Sequence, residues 1–477
     1  MGNNSCIDCS RRNKLKEINN EIFEGILEQE CLLWDIFQNR FRRTKFFVTK
    51  PKNNKISYIS DNGSIMRIEQ IRDQQLQQSE ILTNIEQIKF LKWIGQYGNN
   101  QQKIGRWKAF WQGESLIGIG GIYSEDGQKQ GQWNLLFQNY TKEFQVCESG
   151  EYLNDQKIKL WKYTLGNEEI GGGLYDNQGK QGQWIELANN FQVHSQITLI
   201  GEYKNGKKVG RWDTYHRMKN QQQFQLIGGG TYDIQEGSNS FKIGIWKEPS
   251  EGFHSRNKVM YEGQYKNGIK VGRWEIQMIQ DTGMMMKIGG GEYDDKQEAN
   301  NHLSMKQGKW LELNDLLQIS SQVIYQGEYK NGLKIGRWEI YWKDDDDGSF
   351  NLIAGGLYKP KLDDQFSGDI KQGRWVELSE GFRNSSQITW KGVYQNNNKV
   401  GRWDISFQWE NYGGGSYNEV DAELIVKVGK WFELSDQFSK FQILSILQLL
   451  ENIQSFIKEH IKTVKKLVDG MLFGVHK

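Results

Sequence analysis

The chain has 477 residues and a net charge of +2, so no strong electrostatic field draws it toward nucleic acid or acidic partners. Only 37% of its residues are hydrophobic, yet it carries 18 Trp, 20 Tyr and 22 Phe, whereas disordered chains are poor in aromatic residues. Its 53 Gly and 3 Pro favour turns and close backbone contacts over collagen-like or proline-rich segments. The composition therefore predicts a folded protein whose apolar burial depends on aromatic rings.

Cysteine content and hydropathy bound the cellular context. The cysteines are too few and too clustered for a disulfide framework, which predicts a reducing compartment. They are Cys6, Cys9, Cys31 and Cys147. Residues 1–20 lack the apolar core of a secretory signal, and no stretch approaches the roughly 18–20 apolar residues of a spanning helix. We therefore expect a protein that is soluble or peripherally attached to a membrane.

The first segment, residues 1–12, begins MGNNSCIDC and allows several interpretations. A zinc site needs a second pair of ligands, and a thioredoxin-type CxxC needs a βαβ context. A disordered, unmodified start is a further alternative. We favour lipid attachment, because Gly2 is exposed once Met1 is removed and the start nearly matches M-G-x-x-x-[ST].

Stable lipid attachment requires more than one signal. A myristoyl chain on Gly2 binds a membrane only marginally, with K of about 10⁴ M⁻¹. Cys6 and Cys9 resemble the palmitoylated cysteines of dual-acylated proteins. Nearby basic residues would each add about 1 kcal/mol at an anionic leaflet. These basic residues are Arg11, Arg12, Lys14 and Lys16.

Residues 13–94 form a predicted helical and basic N-terminal region. Apolar residues at helical spacing predict one helix over 13–38 and another over 66–92. Between them, RFRRTKFFVTK (40–50) mixes five basic residues with three Phe. We expect these helices to cap the end or one face of the repeat array that follows.

Residues 95–437 contain an internal repeat. Twelve tryptophans each follow a Lys by four residues, and eleven of them follow a Gly by two, with Lys159 at the exceptional position. The tryptophans are Trp107, Trp133, Trp161, Trp184, Trp212, Trp246, Trp274, Trp310, Trp338, Trp375, Trp403 and Trp431. Two unit types alternate, a first type such as GEYKNGKKVGRW (201–212) and a second type such as GGGLYDNQGKQGQW (171–184).

The spacing of the units is regular on one side only. The step from a second-type Trp to the next first-type Trp is 28 residues in all five cases. The step from a first-type Trp to the next second-type Trp varies from 23 to 37 residues. A fixed spacing indicates a structural register, whereas a variable spacing indicates solvent loops on one face.

Each unit is predicted to form a β-hairpin. Aromatic and β-branched residues flank a Lys-Asn-Gly turn, where Asn and Gly tolerate positive φ. The Gly two residues before each Trp is predicted to leave room for a neighbouring ring over the backbone. Because a single hairpin is marginal in water, we expect the units to support one another through a Tyr/Trp ladder. The expected architecture is an elongated, single-layer antiparallel sheet or solenoid.

Two of the units carry a family resemblance. The segments YEGQYKNGIKVGRW (261–274) and YQGEYKNGLKIGRW (325–338) resemble MORN repeats, whose pattern is Tyr-x-Gly, an aromatic residue, an Asn-Gly turn and a spaced Gly. The resemblance covers residues ~95–435. The twelve repeats predict a mainly β fold of about twelve tandem hairpins, and the resemblance is in keeping with that fold. The resemblance also implies a scaffold function, since such arrays commonly tether cytoskeletal, ciliary or membrane-associated assemblies.

Residues 438–477 follow the repeats. An amphipathic pattern over 438–468 predicts a C-terminal helix. Lysines lie on its second half, at Lys458, Lys462, Lys465 and Lys466. The helix either caps the repeat array or docks on a partner or a membrane surface.

The sequence offers no constellation typical of catalysis or metal binding. The six histidines stand apart, without HExxH or Cys/His spacing. Glycine triplets such as 171–173 fit neither GxxxxGK[ST] nor GxGxxG, so we interpret them as structural. The run DDDDG (344–348) lacks the Glu of an EF-hand. We therefore expect no enzymatic activity, no metal and no cofactor.

The lysine four residues before each Trp is the main candidate for a surface function. In one interpretation its stem covers a ring and adds about 0.5–1 kcal/mol of cation–π energy. In the other, lysines and arginines form a positive ladder that meets lipid head groups or an acidic filament. The residues of that candidate ladder are Lys208, Arg211, Lys270, Arg273, Lys334, Arg337, Lys399 and Arg402.

These features together predict a non-catalytic scaffold or adaptor at the cytosolic face of a membrane, such as the plasma or ciliary membrane. N-terminal acylation would tether it, and its repeat surface would bind protein partners. The alternatives are a regulatory or targeting subunit of a separate enzyme, and a carbohydrate- or lipid-head-group-binding module. No nucleic-acid partner is expected, and the oligomeric state is left open.

Overall fold

The protein is mainly β in the part of the chain that the computed structural model describes. The described residues are 26–35, 40–49, 55–70, 84–218, 223–234, 239–255, 257–280, 282–295, 304–313, 322–343, 349–359, 369–379, 382–421 and 424–434. The chain divides into two compact units, with the boundary between residues 319 and 320.

The first unit begins with a four-stranded antiparallel sheet in the order β1-β2-β3-β4. Its strands are β1 (Ile26–Asp35), β2 (Arg40–Thr49), β3 (Lys55–Ser60) and β4 (Ile65–Gln70). Alternate residues of β2 and β3 point to one face, so Phe46, Val48, Ile56 and Tyr58 are buried together. The basic, Phe-containing segment singled out in the sequence is therefore largely strand β2, with two of its apolar side chains in a core.

A short helix, α1 (Ile85–Phe90), completes this small core. Asn84 caps its start, because the Asn84 side-chain oxygen accepts hydrogen bonds from the backbone N–H groups of Glu86 and Gln87. Arg67 of β4 donates to the carbonyl of Leu91 just beyond its end. Ile88 is fully buried against the residues of β2 and β3.

The helix predicted over 13–38 is wrong where the structure describes it, because residues 26–35 form strand β1. This strand pairs with β2 over ten residues, from Ile26 opposite Thr49 to Asp35 opposite Arg40. Its glutamates also face a basic strand, since Lys45 Nζ lies 2.7 Å from a carboxylate oxygen of Glu28. Pairing with a neighbouring strand overrides a weak helical pattern.

The second predicted N-terminal helix, over 66–92, is correct only in part. Residues 65–70 form β4, and α1 covers the short stretch 85–90. The C-terminal helix predicted over 438–468 lies outside the described residues, as do residues 1–25.

The rest of the first unit is a series of strands in which each pairs antiparallel with the next along the chain. These strands are β5 (Leu91–Tyr97), β6 (Lys103–Trp111), β7 (Glu114–Tyr123), β8 (Lys129–Leu136), β9 (Val146–Leu153), β10 (Gln156–Leu165), β11 (Glu168–Asp176), β12 (Gly179–Leu187), β13 (Gln196–Lys204), β14 (Lys207–Arg217), β15 (Gln225–Ile234), β16 (Ser240–Pro249), β17 (Val259–Lys266), β18 (Ile269–Ile279), β19 (Met285–Tyr293) and β20 (Lys306–Leu313). The prediction of tandem β-hairpins is confirmed here.

The second unit repeats the same arrangement, with consecutive strands pairing antiparallel. Its strands are β21 (Gln322–Lys330), β22 (Leu333–Lys343), β23 (Phe350–Lys359), β24 (Ile370–Leu378), β25 (Ile388–Gln395), β26 (Asn398–Phe407), β27 (Glu410–Asp421) and β28 (Leu424–Phe432).

Hydrogen bonds between neighbouring hairpins explain the constant step of 28 residues. The turn between β13 and β14 has positive φ at Asn205 and Gly206, as a tight hairpin turn requires. Its Gly206 N–H donates to the carbonyl of Lys180 on the preceding unit at 2.9 Å. The equivalent bond joins Gly268 to Lys242, also at 2.9 Å. These bonds fasten each turn at the same place on the preceding hairpin, which is consistent with a turn of constant length.

The Gly two residues before each Trp has a different role from the one predicted. All twelve positions have positive φ, between 59° and 73°, and Lys159 adopts this conformation with φ 59°. A Cβ built on Gly210 would meet no atom within 4 Å, so no ring lies over it. The glycine is needed for the left-handed backbone conformation and not for space.

Candidate functional site

An aromatic ladder runs along one face of the repeat strands in each unit. Every repeat Trp makes edge-to-face contacts with Tyr rings. The centroid distance is 5.2 Å or less to the Tyr of the same repeat, and 5.9 Å or more where a Trp contacts the Tyr of the following repeat. In the first unit the tyrosines are Tyr97, Tyr123, Tyr152, Tyr175, Tyr203, Tyr232, Tyr265 and Tyr293. In the second they are Tyr329, Tyr358, Tyr394 and Tyr417. We call the face that carries these rings the ladder face.

A glycine lies beneath every indole ring. Gly201 carries the ring of Trp212, and a Cβ built on it would lie 2.3 Å from an indole carbon. The same holds for all twelve tryptophans, because each repeat has a glycine two residues before its Tyr, in the motif Gly-x-Tyr. The glycines are Gly95, Gly121, Gly150, Gly173, Gly201, Gly230, Gly263, Gly291, Gly327, Gly356, Gly392 and Gly415. The repeating motif is therefore Gly-x-Tyr followed by Lys-x-Gly-x-Trp.

The repeat lysine covers the other side of the indole. In all twelve units the lysine Nζ lies 3.9 to 5.5 Å from the centroid of its own Trp. In Trp184 the indole N–H also donates to the carbonyl of Leu174 at 3.1 Å. With glycine below, tyrosines at the edges and lysine above, Trp184 and Trp212 are each only 1% exposed.

A glutamate two residues after each of several second-type tryptophans binds two successive lysines. Glu186 accepts from Lys180, from Lys208 at 2.6 Å and from the Tyr203 hydroxyl at 2.7 Å. Glu248 binds Lys242, Lys270 and Tyr265 in the same way, and Glu377 binds Lys371, Lys399 and Tyr394. We call each of these arrangements a glutamate clamp. Each one joins a second-type hairpin to the first-type hairpin that follows.

The clamps perturb the titration of their members. Burial alone raises the pKa of Glu186, but Lys208 and Lys180 outweigh it, so the net pKa of this carboxyl is lowered. Burial lowers the pKa of Lys208, although Glu186 partly offsets the effect. Burial, reinforced by Glu186, raises the pKa of the Tyr203 hydroxyl well above its ordinary value. The clamp thus favours the charged form of the Glu186 carboxyl and the neutral form of the Tyr203 hydroxyl.

The structure separates the lysines of the candidate charge ladder from its arginines. Lys208, Lys270, Lys334 and Lys399 lie on the ladder face over their own tryptophans. The arginines Arg211, Arg273, Arg337 and Arg402 each immediately precede a Trp, and successive residues of a strand point to opposite faces. The arginine side chains therefore lie on the other side of the sheet, which we call the opposite face.

The arginines of the opposite face are exposed, and several pair locally. Arg211 lies 2.7 Å from Asp213, Arg337 lies 3.2 Å from Glu339, and the equivalent pair on β26 spans 2.9 Å. Exposed pairs of this kind contribute about 0–1 kcal/mol. Whether any of these residues binds a partner stays a prediction.

The glycine triplets lie inside strands, as expected of structural elements. In the triplet 171–173 of β11, a Cβ on Gly172 would lie 2.0 Å from the carbonyl oxygen of Trp161, and Gly173 carries the ring of Trp184. The triplets stand out in the sequence, whereas the glycine beneath each Trp and the glutamate of the clamp were not predicted. Both could have been found by aligning the twelve units on their tryptophans.

A buried polar cluster lies where β14 packs against the loop 250–258. The ring of His216 contacts Phe253 edge-to-face at 5.0 Å, and burial together with nearby Lys258 lowers the pKa of His216 to about 4. Phe191, Phe253 and Phe382 are buried in equivalent loops before β13, β17 and β25.

Among the described residues, no three His, Cys, Asp or Glu side chains are placed to hold a metal ion.

The lipidation and membrane-charge residues Gly2, Cys6, Cys9, Arg11, Arg12, Lys14 and Lys16 lie outside the described part of the chain. Within that part, no helix is long and apolar enough to span a bilayer.

No protein-family model matches this chain, and no curated protein matches it. The resemblance of its units to MORN repeats therefore stays a prediction.

Proposed function

We propose that this protein is a non-catalytic scaffold, tethered to the cytosolic face of a membrane by N-terminal acylation, whose repeat array presents a surface to protein partners. The start MGNNSCIDC supports the tether, and the resemblance of the repeats to MORN units supports the scaffold. Neither the tether nor the scaffold requires a catalytic group in this chain.

One observation carries the scaffold proposal: the ladder face is closed by its own contacts. Each repeat Trp contacts a glycine, its lysine and neighbouring tyrosines, and the clamp glutamates hold successive lysines. These groups are therefore engaged within the array. The opposite face carries exposed residues at the same position of successive strands, which suits an extended binding surface.

The carbohydrate-binding alternative requires tryptophan rings that face solvent. In the first unit every repeat tryptophan is at most 5% exposed. A sugar stacking on Trp212 would have to displace Lys208 and break its ion pair with Glu186. This burial favours protein partners over glycans.

The test uses the full-length, tagged protein in cells. The Gly2→Ala variant removes the acylation site, and Asn3→Ala serves as the matched control. We expect Gly2→Ala to shift the protein from the membrane fraction to the soluble fraction, while Asn3→Ala leaves it in place. An unchanged membrane fraction of Gly2→Ala would overturn the tether.

Co-purification with the same protein tests the scaffold. The proposal predicts several non-enzymatic partners that bind both the wild type and Gly2→Ala. A single stoichiometric enzyme would instead support the regulatory-subunit alternative. Recovery of no partner from either form would contradict the scaffold proposal.

A further inference from the structure

The opposite face of the second unit carries a row of cations on alternate strands. The row consists of the residue before each Trp and, on the strands between, the residue between Gly and Tyr. Its members are Glu328, Arg337, Leu357, Arg374, Val393, Arg402, Ser416 and Lys430, on β21 to β28 in order. Between neighbouring hairpins, the strand register places Arg337 opposite Leu357, Arg374 opposite Val393 and Arg402 opposite Ser416.

This row is more basic than its counterpart in the first unit. The second unit has four cations and one anion over eight positions. The same positions of β5 to β20 carry four cations and three anions over sixteen. The first-unit row is Gln96, Arg106, Ile122, Gln132, Glu151, Leu160, Leu174, Gln183, Glu202, Arg211, Thr231, Ile245, Gln264, Arg273, Glu292 and Lys309. The positive charge is thus concentrated on the second unit.

The cations of the row are available to a partner. Arg337 and Arg402 have side chains 70% and 59% exposed, and their ion pairs with Glu339 and Asp404 are weak enough to exchange. Arg374 is exposed and forms no ion pair among the described residues. Between the arginines, Leu357 and Val393 are 36% and 39% exposed. The row therefore alternates guanidinium groups with small apolar surfaces.

The spacing of the row matches an α-helix laid across the strands. Neighbouring strands are about 4.8 Å apart, so cations on alternate strands are at least about 9.6 Å apart. Bulges inside the hairpins pair Leu357 with Gln372 and Val393 with Val400, which offsets Arg374 and Arg402 along their strands and makes the row oblique. Seven residues of an α-helix rise about 10.5 Å, and three or four residues rise about half of that. Glutamates at every seventh position would meet the arginines, and apolar residues midway would meet Leu357 and Val393.

We propose that the opposite face of β22 to β26 binds an acidic, amphipathic α-helix of a protein partner. This proposal rests on the scaffold function, for which it specifies one class of partner. Three successive arginines span four strand steps, about 19 Å, or about thirteen helical residues. The protein's own amphipathic segment 438–468 is not the occupant, because its lysines carry the same sign of charge as the row.

The test measures fluorescence anisotropy of a labelled synthetic peptide with Glu at every seventh position and Leu midway between, added to the full-length protein. A peptide of the same composition in scrambled order is the control ligand. We expect the patterned peptide to bind at least about tenfold more tightly than the scrambled one, with an affinity that falls as salt rises. Equal binding of the two peptides would overturn the proposal.

Two triple variants locate the site. R337Q/R374Q/R402Q should weaken binding of the patterned peptide by at least about tenfold, whereas R106Q/R211Q/R273Q, at equivalent positions of the first unit, should change it less than about twofold. Thermal unfolding checks that both variants are folded. Equal losses in the two variants, or none in the first, would overturn the proposal.

Anionic vesicles provide a second arm. If phosphatidylserine vesicles lose binding in R337Q/R374Q/R402Q while the peptide does not, the row is a membrane surface and the helix proposal is wrong. If the peptide fails but partners still co-purify with the wild type, only this inference fails. If no partner co-purifies with the wild type, the scaffold function itself is overturned.

Discussion

The indole of Trp212 lies against Gly201, so closely that a Cβ on Gly201 would come within 2.3 Å of the ring. This contact recurs under every repeat tryptophan and sets how near the ring lies to the backbone. A ring held this close can be covered by one lysine and two tyrosines. The strands of the array thus bury large side chains through contacts between neighbouring hairpins.

Replacing Gly201 by alanine should destabilise the protein strongly. The added methyl group overlaps the indole of Trp212, and a ring fixed by Tyr203 and Lys208 has little room to move. We expect a loss of about 3 kcal/mol, at the upper end of the range for overpacked cores. Urea unfolding followed by tryptophan fluorescence measures it.

Gly210→Ala is the matched control for this prediction. A Cβ there meets no atom within 4 Å, so only the positive φ of 62° opposes it. The expected cost is about 1–2 kcal/mol. Lys159 already occupies the equivalent position with φ 59°. If Gly201→Ala cost no more than Gly210→Ala, the close contact with the ring would not matter.

Breaking one glutamate clamp should also be costly. Glu186→Gln removes the charge that pairs with Lys180 and Lys208 while keeping the size of the side chain. We expect a loss of about 2–4 kcal/mol, because two partly buried ammonium groups lose their counter-ion. The exposed pair Lys162–Glu169 provides the control, since Glu169→Gln should cost less than about 1 kcal/mol. Similar losses in both variants would show that the clamp has no special role.

The same clamp predicts how stability depends on acid. The folded-state pKa of Glu186 is lowered from its ordinary value of 4.5, so its contribution is present above pH 4.5 and is lost as pH falls through the folded-state pKa. In Glu186→Gln the decline of stability below pH 4.5 should be shallower than in the wild type. Denaturant midpoints measured across this range test it, and an unchanged slope would contradict it.

The ladder tyrosines should titrate only when the protein unfolds in base. Burial, with carboxylates nearby, raises the pKa of Tyr232 to about 12 and raises the pKa of Tyr203 further. A raised folded-state pKa means that the stabilising contribution is complete below pH 10 and is lost as pH rises above it. Tyrosinate absorbance of the native chain should therefore lag behind that of the denaturant-unfolded chain and rise together with the loss of circular dichroism. Identical titration curves would contradict the burial of the ladder.

Ser250 and Ala188 occupy equivalent loop positions, which predicts that exchanging the serine for alanine does not lower the free energy of unfolding. Ser250 and Ala188 make the same backbone hydrogen bonds at the start of their loops, and the buried Ser250 hydroxyl has no partner among the described residues. Ser250→Ala should leave stability unchanged or raise it by up to about 1 kcal/mol. The reverse change, Ala188→Ser, should cost about 1–3 kcal/mol. Thermal unfolding of both variants decides, and a large loss in Ser250→Ala would reveal a partner for the hydroxyl.

The repeat region could be predicted from the sequence because its signals are local and recur. The Asn-Gly turns and the constant step of 28 residues correctly indicated hairpins in a fixed register. The glycine beneath Trp212 was missed because Gly201 is eleven residues away, on the neighbouring strand, and its recurrence is visible only when the repeats are aligned on their tryptophans. The twelve lysines were recognised as covering groups or surface charges, and their place above the indoles matches the first interpretation.

The N-terminal region could not be predicted in the same way. The apolar spacing in 13–38 resembles a helix, but β1 is stabilised by pairing with β2, which periodicity within one segment does not reveal. The useful signal was the acidic character of β1 next to the basic β2, expressed in the pairing of Glu28 with Lys45. Separating the arginines from the lysines likewise required the alternation of faces and the bulge at each positive-φ glycine.

The central claim is that the ladder face is closed by its own contacts and that partners bind the opposite face. Lysine-selective acetylation with mass spectrometry, on the bare protein and on its cross-linked complexes from cells, tests this directly. In the bare protein, Lys180 and Lys242 should react about tenfold more slowly than the exposed Lys204 and Lys266, and the rates of Lys180 and Lys242 should not change in the complexes. Opposite-face lysines should become protected only in the complexes. Rapid acetylation of Lys180 and Lys242 in the bare protein, or their selective protection by partners, would contradict the account.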